Sequence, residues 1–152
     1  MSRFLTTLRT EQQGKWGHLL LNDLVLEDEL GTFSTPAGFE TDFASIKALR
    51  NVAVTCAYIM LAMAVLPLTP TWLRIAVLVI GMGALVLYAL CAGYGNLGAT
   101  IHDQLYTIAQ LPRRDCDAVF YRALRAEGVA RWRAWIMYAG VRLGGASHYG
   151  TV

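Results

Sequence analysis

The sequence predicts an α+β chain in which a small N-terminal antiparallel sheet and three C-terminal helices are interrupted by a transmembrane helical hairpin. Three observations predict it. Two apolar stretches, Val52 to Leu68 and Ile75 to Gly93, contain no charged side chain and are separated by only a short connector. Before them, short apolar runs alternate with turn residues, and after them the apolar period becomes helical. The predicted boundaries are 1–51 for a β-rich first half, 52–93 for the hairpin, and 94–152 for a helical second half of the same domain.

Taken in order, Phe4 to Leu8, His18 to Leu21, Leu24 to Glu27 and Thr32 to Thr35 read as strands. Asn22-Asp23 and Leu30-Gly31 break the apolar runs, and Pro36-Ala37-Gly38 suits a type I turn. In the hairpin each stretch approaches the roughly 20 helical residues that cross a bilayer core. Pro67 and Pro70 stop the first helix, while Trp72 and Arg74 suit a headgroup layer. Ala57, Ala62, Ala64, Gly81, Gly83 and Ala84 would let two backbones approach closely, as helices do where lipid removes the hydrophobic drive. The competing arrangement is a helical pair buried in a soluble core, for which a chain this small has little covering surface.

Beyond the hairpin, Leu97 to Gln110 reads as a helix, Leu111-Pro112 as a break, Arg113 to Glu127 as a second helix, Gly128 as a stop and Val129 to Leu143 as a third. In that third helix Trp132, Ile136, Ala139 and Leu143 share one face, with Arg131, Arg133 and Arg142 elsewhere. Two placements fit this pattern: a helix lying on a membrane surface, or an amphipathic helix closing a small core.

Apolar residues make up 55% of the chain and charged residues 16%, below the roughly 25% charged of globular proteins. Residues 1–51 carry five basic and seven acidic side chains, whereas residues 95–152 carry seven arginines and four acids. A basic, Trp-containing end suits anionic headgroups. Those arginines are spread over helices without a recognisable binding motif, so no nucleic acid is expected. The three cysteines form no secreted-type disulfide framework, and Met1-Ser2-Arg3-Phe4-Leu5 begins no apolar region of signal-peptide length. Two crossings put both polar halves on one side. Lys47, Arg50, Arg113 and Arg114 outnumber Arg74 in the connector, which predicts a bacterial inner-membrane protein with both halves in the cytoplasm, unless it is delivered in a virus particle.

One cluster carries chemistry. His102 and Tyr106 are four apart and share a helix face, while Asp103 turns about 100° aside. The break at Leu111-Pro112 folds the next helix back, bringing Asp117 level with His102. A carboxylate holding one imidazole nitrogen leaves the other to take a proton from water. Tyr106 would steady Asp117 by a hydrogen bond, and Asp103 is the candidate ligand for a hard cation, calcium, with backbone carbonyls and water. The same four residues also suit a buried polar network that fixes helix pairing.

His102-Asp103-Gln104-Leu105-Tyr106 followed by Cys116-Asp117-Ala118-Val119-Phe120 resembles the paired helices of the secreted and parvoviral phospholipases. In those enzymes a glycine-rich calcium loop precedes the histidine. Tyr94-Gly95-Asn96-Leu97-Gly98 is similar in composition but stands closer to it. A wider set of blocks, Thr35-Pro36-Ala37-Gly38-Phe39-Glu40-Thr41-Asp42-Phe43-Ala44-Ser45-Ile46, the two helical blocks, and Tyr138-Ala139-Gly140-Val141-Arg142 with Gly144-Gly145, resembles a phage and prophage family known as domain of unknown function thirteen-fifty-three. The resemblance implies a phage or prophage origin and no particular activity. This sequence departs from that family by Lys47, where a proline usually follows, and by the hairpin inserted between the Ala-Ser and His-Asp blocks.

Asp42 and Ser45 have two readings. Ser45 could be a nucleophile with His102 as base and Asp117 as orienter, although no nucleophile elbow surrounds it. Alternatively, both residues cap the first membrane helix and tie the strands to the His102 helix. The sequence therefore points to a membrane-anchored hydrolase-like protein acting on lipid esters, with membrane lipid and other phage proteins as partners. The competing class is a non-enzymatic virion component, tail or entry related, or a factor acting on the host envelope.

Overall fold

A computed structural model describes residues 1–14, 17–65 and 69–150, and for residues 44–50, 65 and 147 the backbone alone. The chain divides into two compact units, Met1–Ser45 with Gly93–Val152, and Ile46–Ala92.

The first unit is α+β. Its strands are β1 (Arg3–Phe4), β2 (Thr10–Gln13), β3 (Gly17–Leu20), β4 (Leu24–Asp28), β5 (Gly31–Thr35) and β6 (Glu40–Thr41). They form two three-stranded antiparallel sheets, ordered β1-β4-β5 and β2-β3-β6, where one small sheet was expected. The strand expected over Phe4 to Leu8 ends at Phe4. Its continuation still runs beside β4, but the amide of Val25 donates to the Thr6 hydroxyl at 2.8 Å, which interrupts the backbone ladder. β2 is the polar run Thr-Glu-Gln-Gln, and without apolar alternation it gives no strand signal. β6 is two residues long and exists through its pairing with β3, His18 opposite Thr41.

Three helices follow the hairpin: α3 (Asn96–Ile108), α4 (Arg113–Ala126) and α5 (Arg131–Gly144), close to the expected ranges. Leu20, Leu24 and Leu26 from the strands meet Ile101, Leu105, Val119 and Ala123 from α3 and α4 in one core. Each fully buried leucine contributes about 2 kcal/mol by removal of apolar surface from water. Gly98 lets α3 settle on α4, since a Cβ there would lie 3.3 Å from the Leu124 backbone nitrogen. The start of α3 has no cap from its own N-cap residue, and the Glu127 carboxylate supplies one by accepting from the Gly98 amide at 3.2 Å. Arg122 grips the buried Asp28 of β4 with two bonds, 2.8 and 2.7 Å, tying α4 to the sheet.

Helix α3 ends on Ala109 in the left-handed conformation, φ 47° and ψ 35°. A Cβ is unfavourable there. Ala109→Gly is expected to raise stability by about 0.5–1 kcal/mol, read as a shift in urea midpoint with unchanged slope.

The second unit holds α1 (Ala44–Val65) and α2 (Thr71–Cys91). Among the described residues only Thr71–Cys91 is long and apolar enough to cross a membrane, and just 6% of its apolar window is buried. The apolar part of α1 is shorter, Asn51–Ala64. Gly81 makes a close helix contact: a Cβ there would come within 2.6 Å of the Cys56 Cβ, whereas Gly83 has open space. Arg74 donates to the Thr69 hydroxyl at 2.8 Å. Pro67, expected to end the first helix, lies outside the described residues.

Candidate functional site

Three of the predicted residues meet. His102 and Tyr106 are adjacent turns of α3, and Asp117 comes from the antiparallel α4. His102 Nε2 lies 3.0 Å from Asp117 Oδ1, and the Tyr106 hydroxyl donates to the same oxygen at 2.5 Å. Asp117 is fully buried and His102 is 4% exposed. Phe120, one turn beyond Asp117, places its ring centroid 4.8 Å from that of His102, and Tyr106 sits at 4.0 Å from it. The imidazole is held between two aromatic rings and one carboxylate.

Arg142 completes the site, and sequence reasoning missed it by assigning it to the polar face of α5. Its Nη1 donates to Asp117 Oδ2 at 2.8 Å. Arg113 adds a donor to the Tyr106 hydroxyl at 3.2 Å and bonds the Val141 carbonyl at 3.0 Å and the Arg142 carbonyl at 2.5 Å. It thereby fastens the end of α5 to the head of α4. Of the glycine pair that follows, Gly145 meets the site, since a Cβ there would lie 2.9 Å from the Tyr106 hydroxyl, whereas Gly144 has open space. The available signal was the Tyr138 to Gly145 block, whose arginine bonds Asp117 and whose last glycine lies against Tyr106.

Burial alone would raise the Asp117 carboxyl, but the bonds from His102, Tyr106 and Arg142 outweigh it and hold the group below the usual carboxylate range. Burial, then the bond to Asp117, pushes the Tyr106 phenol up to about 12, so it remains a donor at neutral pH. When the His102 proton sits on Nε2, facing Asp117, Nδ1 keeps its lone pair and can accept a proton. Burial likewise pushes the Cys116 thiol up to about 11, which leaves it an inert packing group beside the site.

Asp103 turns away from this cluster, as expected, and meets the strands. Its Oδ2 accepts from the Thr41 hydroxyl at 2.6 Å, and the same hydroxyl oxygen accepts from the Phe43 amide at 3.3 Å. This bond ties the strands to the His102 helix through Thr41, the neighbour of the Asp42 for which that role was expected. Asp42 lies near enough to raise the Asp103 carboxyl. The Ser45 side chain, on which the triad reading depends, lies outside the described residues. Among the described residues no group of three or more His, Cys, Asp and Glu side chains could hold a metal ion, so a calcium ion would depend on Asp103 with backbone carbonyls and water.

Burial pushes the Asp103 carboxyl up to about 6, more than the Thr41 bond lowers it. Between its unfolded value near 4 and about 6, the folded chain keeps a proton that the unfolded chain releases, so its stability falls as pH rises through that window and is level above it. Asp103→Asn keeps an acceptor for Thr41 and removes the titration. It is expected to be about 2 kcal/mol more stable than the native chain at pH 7 and to lose that advantage at pH 4, measured by urea unfolding at both values.

Fold and site together define a small α+β protein whose antiparallel helix pair encloses a His–Asp–Tyr network locked by an arginine from a third helix. Residues 84–141 match the family model described as protein of unknown function (DUF1353), from the second half of α2 to near the end of α5. The match takes in His102, Tyr106, Asp117 and Arg113, and bears out the family resemblance over that stretch. No curated protein and no solved structure matches the chain.

Proposed function

We propose that this chain is a phage- or prophage-encoded, membrane-anchored hydrolase whose His102, oriented by Asp117, activates water against a lipid ester. The single observation that carries the reading is the 3.0 Å pairing of His102 Nε2 with an Asp117 carboxylate already fixed by Tyr106 and Arg142. A base whose orienter is itself held by two further donors is preorganised, which is the property general-base catalysis needs. Nδ1 takes a proton from water, the water oxygen attacks the ester carbonyl carbon, and the imidazolium returns the proton to the departing alcohol. The exposed apolar surface of Thr71–Cys91 supports the anchor, with α1 as its returning arm. Such an anchor keeps the site at the headgroups, and the excess of Lys47, Arg50, Arg113 and Arg114 over Arg74 favours the cytoplasmic side of the inner membrane.

The test is fatty-acid release from phospholipid vesicles carrying the full-length protein. Release that rises with protein and disappears in His102→Gln supports the proposal; no release with or without added calcium overturns it. A second reading is a virion or envelope-interacting protein in which the cluster only fixes the helices. The near-complete burial of His102 and Asp117 favours it, since a closed network also specifies helix pairing.

A further inference from the structure

Helix α5 has two apolar faces, and only one belongs to the core. Ala134, Met137 and Val141 are buried against the rest of the unit. The face expected from the sequence, Trp132, Ile136, Ala139 and Leu143 with Trp135 beside it, is turned outward: Trp132 is 49% exposed, Trp135 53% and Leu143 87%. That stripe does not close the core. It is held rigidly, because Trp135 packs on Tyr121 and Tyr138 at 5.5 Å from each, and the Arg133 guanidinium lies between Trp132 at 4.7 Å and Tyr94 at 3.7 Å. The helix sequence Arg-Trp-Arg-Ala-Trp-Ile-Met-Tyr-Ala-Gly-Val-Arg-Leu-Gly contains three arginines and no acid. Arg131 and Arg133 flank the stripe, and Arg142 bonds Asp117.

We infer that this outward face of α5 is a docking surface for an anionic lipid headgroup layer. Tryptophan edged by arginine is the chemistry of helices that lie in the interface plane, with rings among the headgroups and guanidinium groups on lipid phosphates. Charge complementarity selects lipid over a second copy of the chain, because two such faces would oppose arginine to arginine. The inference rests on the membrane-anchored reading and extends it, since the helix that would lie on the lipid also carries Arg142 to the site.

The experiment uses the full-length chain with Trp16→Phe and Trp72→Phe, so that Trp132 and Trp135 are the only reporters, reconstituted in brominated phosphatidylcholine vesicles with or without phosphatidylglycerol. A companion chain keeps Trp72 alone and reports on the anchor. Strong bromine quenching of Trp132 and Trp135 that grows with phosphatidylglycerol is expected. Arg131→Gln should lower the ratio of docked to undocked protein about fivefold. Quenching of Trp72 with none at Trp132 and Trp135 overturns this inference alone, and loss of quenching in both chains overturns the anchored reading with it. Protection of the two reporters that instead rises with protein concentration assigns the face to a second copy and also overturns it.

Discussion

His102→Gln is expected to cut the proposed ester hydrolysis about 10²–10⁴-fold while leaving the fold in place. Glutamine reaches the same carboxylate and can donate to Asp117 Oδ1, so the network in which His102 pairs at 3.0 Å keeps a donor there. What glutamine lacks is a basic nitrogen. The loss should fall on kcat more than on KM, because the proton moves in the transition state and contributes little to substrate binding. His102→Ala is the less informative change, since it also opens a cavity between Phe120 and Tyr106. If His102→Gln keeps full activity in a folded chain, His102 is not the base and the cluster serves the fold.

Asp117→Ala is expected to destabilise the chain by about 3–5 kcal/mol, the usual consequence of removing one member of a buried ionic network. The carboxylate is fully buried and satisfies His102, Tyr106 and Arg142 at once. Its loss leaves a phenol and an imidazole in the core without their acceptor. Asp117→Asn should cost less, because the amide oxygen can still accept from Tyr106. The same carboxyl predicts acid sensitivity of opposite sign to Asp103. Its value is held below the usual range, so its contribution is complete above the ordinary carboxylate value and is lost as pH falls through the folded one. Urea unfolding between neutral pH and pH 3 should show the native chain losing stability at the acid end, and Asp117→Asn losing much less.

The helical half was the more legible. The breaks at Leu111-Pro112 and Gly128 are local chemistry, and they place α3, α4 and α5 within a few residues of their observed ends. His102, Tyr106 and Asp117 were legible for the same reason: a four-residue interval on one helix and a short turn to the next fix which side chains face each other. β2 and β6 were not, since one is wholly polar and the other has only two residues, and both are strands only because β3 offers them an edge. Thr41 stands beside Asp42, for which a tie to this helix was expected, yet its bond to Asp103 spans 62 residues of sequence.

Arg142 shows the limit most clearly. On α5 alone it is one of three arginines, and periodicity groups it with the solvent-facing residues; only the packing of α5 on α4 turns it to Asp117. The outward Trp132 and Trp135 are the converse, because a wheel shows which residues share a face but not whether that face meets a core or a lipid layer. What the sequence by itself determined is everything set within one helix or one turn: the long apolar helix α2, the three C-terminal helices, and the His–Tyr–Asp pairing. Tertiary structure decided which groups close the network, which of the two faces of α5 is buried, and which strand edges pair, since those depend on contacts between segments far apart in the chain.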